Sequence, residues 1–131
     1  MPIEITVLAL GALLLVVHIT VAVHYTTQQY GLGWNMGARD EQKPPLGDVA
    51  ARLQRARDNF LETLPIAIIA LFGVVLTGKT SELTALFAWL WLGARVIYLP
   101  LYWAGIPYIR TVAWFASMFG LLGVLYVLLA G

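Results

Sequence analysis

The sequence predicts an all-α integral membrane protein, a four-helix bundle of left-handed up-down topology, on three observations. Hydrophobic residues make up 60% of the 131-residue chain, charged residues only 11%, and mean hydropathy is +0.81. Those values lie outside the range of soluble domains. Four stretches, residues 5–25, 60–77, 83–101 and 111–129, are apolar and are interrupted only by Glu62 and Arg95. Each is near the ~20 residues, about 30 Å of helix, that a hydrocarbon core requires. In lipid a spanning segment must bond its own backbone groups, which selects helices over open strands.

The first helix is expected over 3–27. Met1-Pro2-Ile3-Glu4 puts no positive charge ahead of it, and its apolar run exceeds that of a signal peptide, so it reads as a retained helix. Residues 28–47, punctuated by Gly31, Gly33, Gly37, Pro44, Pro45 and Gly47, read as a cytoplasmic loop. The second helix, over 48–77, opens on Asp48 as an N-cap or first-turn acid. A tight turn leads to the third, over 82–103, where Pro100 is expected to kink the helix. A second tight turn, Gly105-Ile106-Pro107, leads to the fourth, over 108–129. Residues 1–131 form one domain, with no internal repeat and no low-complexity segment.

The basic residues orient this plan. Arg39, Lys43, Arg52, Arg55 and Arg57 fall between the first and second helices and Arg110 between the third and fourth, while only Lys79 lies on the opposite side. The positive-inside bias then puts both basic connections in the cytoplasm and both termini outside. The chain has no cysteine, which excludes disulfides, thiolate metal sites and a cysteine nucleophile. His18 and His24 fall on different helix faces, so no metal site is expected. A net charge of +1 gives no sign of nucleic-acid binding.

Ionisable side chains at membrane depth are expensive and usually mark a site. Arg55, Asn59 and Glu62 fall at i, i+4 and i+7 of the second helix, and Arg95, Tyr98 and Tyr102 at i, i+3 and i+7 of the third. Each triplet therefore shares one helix face. With Arg110 opening the fourth helix, all converge on the cytoplasmic boundary, Arg95 lying deeper than Tyr102 by about 10 Å. The guanidiniums suit carboxylates, Glu62 suits an ammonium, Asn59 both donates and accepts, and the tyrosines add hydroxyls beside apolar rings. A zwitterion with two carboxylates and one amine fits the set. Glutathione is such a molecule, and it carries the thiol that this chain lacks.

The two runs, Arg55-x-x-x-Asn59-x-x-Glu62-x-x-Pro65 and Arg95-x-x-Tyr98-x-x-x-Tyr102, resemble those of the MAPEG family, the membrane-associated proteins of eicosanoid and glutathione metabolism. The likeness covers essentially the whole chain, whose brevity is similar to that of bacterial members. It implies a homotrimer with glutathione between neighbouring subunits near the cytoplasmic face, in a bacterial inner membrane. Arg55, Asn59, Glu62, Tyr98 and Tyr102 would contact glutathione, Arg95 would be a binding or structural arginine, and Arg110 would stabilise the thiolate. A nearby guanidinium lowers a thiol pKa from its usual value of roughly 8.5. The thiolate would attack an electrophilic lipophile, or reduce a lipid hydroperoxide, arriving from the bilayer.

The chain departs from some members in having Asp58 where they have an arginine, and in ending its first helix with His24-Tyr25-Thr26-Thr27-Gln28-Gln29, without the arginine they carry there. Those departures favour the family's other branch, a non-catalytic lipid- or ligand-binding scaffold. Simpler roles exist for individual residues. Arg55 could anchor the second helix at the interface, Glu62 and Arg95 could form an ion pair between helices, and Tyr98, Tyr102 and Trp103 could form an aromatic belt. Trp89, Trp91 and Trp114 are assigned to packing. A small multidrug exporter would need a carboxylate deep in its first helix, where this chain has none.

Overall fold

A computed structural model describes residues 1–130, and no strand occurs among them. It comprises α1 (Ile3–Tyr30), a short α2 (Leu32–Met36), α3 (Asp48–Leu76), α4 (Glu82–Trp103) and α5 (Ile109–Ala130). The four long helices are each long and apolar enough to cross a membrane. Gly131, the last residue of the domain expected over 1–131, lies outside the described residues.

The helices alternate in direction. The α1–α3 and α4–α5 connections gather at one end of the bundle, called here the loop end; the α3–α4 turn and the chain termini gather at the other. Lipid tails are as apolar as leucine, so burial alone does not hold such helices together; close packing of small residues does. Ala22, Ala56, Ala67, Ala70 and Ala88 accordingly fill the centre around Phe60, Trp91, Leu71 and Leu121. The closest approach joins α4 to α5, where a Cβ on Gly120 would stand 2.7 Å from the Phe87 carbonyl oxygen. Large apolar side chains such as Leu13, Val112, Phe115 and Phe119 face outward, the arrangement a bilayer requires.

Polar residues tie the terminus end together. Ser81 and Thr84 form a reciprocal capping box at the start of α4, and Thr84 Oγ1 also donates to Glu4 Oε2 at 3.0 Å. Glu4 is thereby buried and partnered where α1 begins. Lys79 Nζ donates to the Leu128 carbonyl at 2.7 Å, satisfying an otherwise unpaired group in the last turn of α5.

At the loop end, α1 runs to Tyr30, past the expected end at residue 27. Its polar residues bond the returning chain and so prolong the helix. Gln29 Nε2 donates to the Pro45 carbonyl at 2.9 Å, its Oε1 accepts from Gly47 N at 2.7 Å, and the Tyr30 hydroxyl bonds the Pro44 carbonyl. The segment expected as loop therefore contains α2 and is pinned to α1. Gly47 precedes the first turn of α3, which makes Asp48 a first-turn acid rather than the cap.

Proline shapes α3 and α4 differently. Pro65 cannot donate to the Leu61 carbonyl, and shortly beyond it α3 widens into a π turn over Ile68–Phe72. In α4 the helix continues through Pro100 to Trp103.

Candidate functional site

Three helices bring the site residues together at the loop end. Position 59 of α3, positions 98 and 102 of α4 and positions 110, 111, 114 and 115 of α5 line one open cleft of about 340 Å³. Asn59, Tyr98, Tyr102 and Arg110 thus converge, joined by Thr111, Trp114 and Phe115.

Tyr102 is the hub. Its hydroxyl oxygen accepts from Arg55 Nε at 3.2 Å, so its own hydrogen is left for the cleft. Arg110 Cζ lies 4.4 Å from the centre of its ring and Arg55 Cζ 5.9 Å, both within cation–π range. Tyr98 stands edge-on to the same ring at 5.5 Å. Tyr102 therefore seats both arginines while the pair lines the cleft, which goes beyond an aromatic belt.

Arg95 does not line the cleft. It is fully buried behind it, and Arg95 Nη1 donates to Asn59 Oδ1 at 2.9 Å. Its guanidinium also stacks over Tyr98, at 4.4 Å, and Phe60, at 5.1 Å. Arginine has no acceptor, so the Asn59 amide must turn its oxygen inward and keep Nδ2 for the cleft. Asn59 therefore offers a ligand a donor only, where the sequence allowed both functions. The ion pair considered between Glu62 and Arg95 does not form. Among the described residues the ion pairs are Lys43–Glu41, at 3.4 Å, and Arg57–Asp58, at 3.1 Å. Glu62 is exposed on α3, outside the cleft lining.

Trp114 was assigned to packing from sequence, yet it lines the cleft, and its indole N–H is buried without a partner. The signal was its spacing: Trp114 lies four residues after Arg110, on the same face of α5. Asp58 binds Arg57 and does not line the cleft.

A second groove at the same end, of about 400 Å³, is apolar and runs between α1, α3 and α4. Val21, His24, Leu53, Leu99, Pro100 and Trp103 line it. His24 therefore faces this groove and not the polar cleft. No group of three or more metal-ligating side chains occurs among the described residues.

A bundle of four helices long and apolar enough to cross a membrane, with a donor-rich cleft at one end, defines a multi-pass integral membrane protein. The chain belongs to the MAPEG family, whose model matches residues 3–130. No curated protein and no solved structure matches it.

Proposed function

We propose that the chain is a membrane-bound, glutathione-dependent transferase or peroxidase acting on lipophilic electrophiles or hydroperoxides, with Arg110 stabilising the thiolate. The observation that carries this reading is the cleft's inventory. Arg110, Asn59 Nδ2 and the hydroxyls of Tyr98, Tyr102 and Thr111 all donate, and no carboxylate lines the cleft. Such a site suits a ligand rich in carboxylates and peptide carbonyls. Glutathione, bound as co-substrate, is one, and membership of the MAPEG family supports the choice.

Arg110 and Tyr102 would hold the sulfur after its proton leaves to water. In the transferase reaction the sulfur's electron pair forms a C–S bond, and the leaving group departs with its bonding pair. In the peroxidase reaction the sulfur takes the terminal peroxide oxygen, the O–O bond breaks, and the alkoxide gains a proton. A second glutathione then displaces water from the sulfenic acid, giving the disulfide. The apolar groove at the same end supplies room for the lipophile.

The assembly we infer is a homotrimer. Arg55, Asp58, Glu62, Pro65, Ile69, Phe72 and Leu76 alternate three and four apart along α3, and every one of them is exposed. That is the spacing of a helix-packing seam; Arg55 bonds Tyr102 and Asp58 pairs with Arg57, while Glu62 has no ion-pair partner among the described residues and would find one in a second copy. Glu62 lies on this seam and would meet a ligand's amine there. The positive-inside bias favours a cytoplasmic loop end with both termini outside, in what we take to be a bacterial inner membrane.

An ultraviolet difference titration of the detergent-purified protein with glutathione tests the reading. A saturable thiolate band that disappears in Arg110→Ala supports it. Binding measured by calorimetry with no thiolate band would move the chain to the alternative, a non-catalytic lipid- or ligand-binding scaffold. Arg110 is the only cation among the residues lining the cleft, and an acid, Asp58, stands beside Asn59 on α3, which favours that alternative.

A further inference from the structure

A second cationic pocket lies at the loop end, between α1, α2 and the start of α3, and shares no lining residue with the cleft. It measures about 80 Å³, and Thr27, Trp34, Asn35, Arg39, Gln54 and Arg57 line it. The conformation of Arg39 is its most unusual feature. Its backbone is left-handed, at φ 62°, a region costly for a residue with a Cβ. The side chain is held as firmly. Arg39 Nε and Nη2 donate to the Asn35 carbonyl at 3.2 and 3.1 Å, Nη2 also reaches Asn35 Oδ1 at 3.1 Å, and Cζ sits 4.7 Å over the Trp34 ring.

Its supports are fixed in turn. Asn35 Nδ2 donates to Thr27 Oγ1 at 2.6 Å, and Trp34 packs edge-on against Tyr30 at 4.8 Å. An exposed loop arginine ordinarily samples many rotamers. Here strained backbone, a carboxamide and an indole hold one, which is the preorganisation that makes a weak contact a binding one.

Arg57 completes the electrostatics. It donates through Nε and Nη2 to Asp58, and its Nη1, like that of Arg39, makes no hydrogen bond among the described residues. Two guanidiniums therefore line a pocket that has no carboxylate lining it, beside the amide of Gln54 and the hydroxyls of Thr26 and Thr27. Asp58 holds Arg57 from one side, so an oxyanion in the pocket would draw on the charge of Arg39 and on the free Nη1 groups of both arginines, whose forks match oxyanions in shape.

We propose that this pocket is an oxyanion site, separate from the cleft, which takes a single phosphate or carboxylate group at the membrane boundary. Its volume admits a head group and not a whole organic ligand. The group could belong to a free anion or to the head of an acidic phospholipid, and the site's chemistry is the same for both. The proposal is independent of what fills the cleft.

The full chain in non-ionic detergent would be titrated calorimetrically with inorganic phosphate. In parallel, the chain would be reconstituted with phosphatidylcholine and phosphatidylglycerol, and retained phosphatidylglycerol counted by native mass spectrometry. One equivalent per chain of at least one probe is expected, weakened about tenfold or more by Arg39→Gln or Arg57→Gln. Arg39→Lys keeps the charge but loses the fork and the ring contact, so it should weaken binding nearly as much; Arg110→Gln should leave it unchanged. Phosphate binding without lipid retention assigns a free anion, and lipid retention assigns a head group. Saturation by neither probe overturns the proposal. So does wild-type binding by Arg39→Lys, which would mean diffuse charge, or an equal loss in Arg110→Gln, which would put the anion in the cleft.

Discussion

Arg95 Nη1 donates to Asn59 Oδ1 at 2.9 Å, and through this one bond a residue that never reaches the cleft decides what the cleft presents. The bond turns the amide so that its N–H faces the ligand. Arg95 is costly in itself, because it is fully buried, has no carboxylate partner, and leaves Nε and Nη2 unpaired. Arg95→Met removes that cost and keeps most of the volume, and replacing a buried cation by an apolar side chain is often neutral or stabilising. We therefore expect the melting temperature of Arg95→Met to be unchanged or raised, while glutathione affinity by calorimetry falls about tenfold. A variant equally destabilised in both measurements would make Arg95 a packing residue only.

Tyr102 links two arginines by two different means, so its functions separate cleanly. Tyr102→Phe removes the oxygen that accepts from Arg55 and the hydrogen offered to the cleft, but keeps the ring beneath Arg110. A lost hydrogen bond to a charged group is worth about 1.5–3 kcal/mol, so affinity should fall by roughly one to two orders of magnitude. Tyr102→Leu also removes the ring contacts, and its affinity should fall further. The two dissociation constants, measured side by side, check the order.

Arg110 reaches the cleft from the first turns of α5 and rests on the Tyr102 ring. A lysine there retains the charge but not the planar stack or the fork. Arg110→Lys should keep most glutathione binding and lose most of the thiolate absorbance at neutral pH, whereas Arg110→Ala should lose the absorbance altogether. Full absorbance in Arg110→Ala would show that another group holds the sulfur.

The four helices were legible because spanning lengths of apolar residues leave few alternatives in lipid, and α4 was expected over 82–103 and found at Glu82–Trp103. The convergence of Asn59, Tyr98, Tyr102 and Arg110 was also legible, since helix direction and spacing place them at one end. Three features were not. The π turn at Ile68–Phe72 depends on how the helix relaxes after Pro65, which composition does not encode. The partner of Arg95 depended on which of two neighbours, Asn59 or Glu62, lay nearer on α3, a matter of helix rotation. The loop read as featureless because its order comes from long-range bonds, such as Gln29 to Pro45 and Gly47, that no local pattern shows.

Gly120 tests the packing on which the cleft's geometry rests. In an isolated helix, Gly→Ala stabilises by up to about 1 kcal/mol. At Gly120 a Cβ would meet the Phe87 carbonyl oxygen at 2.7 Å and the Trp91 backbone nitrogen at 3.1 Å, neither of which moves without moving α4. The steric cost of overpacking, about 1–3 kcal/mol, should outweigh the propensity gain. Gly120→Ala should therefore lower the melting temperature, and ligand affinity should fall with it because α4 and α5 carry opposite walls of the cleft.

Trp114 gives the sharpest separation of packing from binding. Its indole N–H is buried and unpaired, and a buried donor without a partner is a net cost to the fold. Trp114→Phe removes the donor and keeps an aromatic ring against Phe115, whose ring centre is now 5.1 Å away. If the indole only packs, the substitution changes stability by the small loss of ring area, and ligand binding stays as it was. If the ring turns this buried N–H toward the cleft when a ligand binds, the ligand supplies the missing acceptor, so the cost falls on binding. We expect the second pattern: a melting temperature within a few degrees of wild type, and glutathione binding weakened about three- to tenfold, in line with one neutral hydrogen bond of roughly 0.5–1.5 kcal/mol. Calorimetry and thermal unfolding on the same preparation separate the two, because packing alone does not weaken binding while leaving the fold intact.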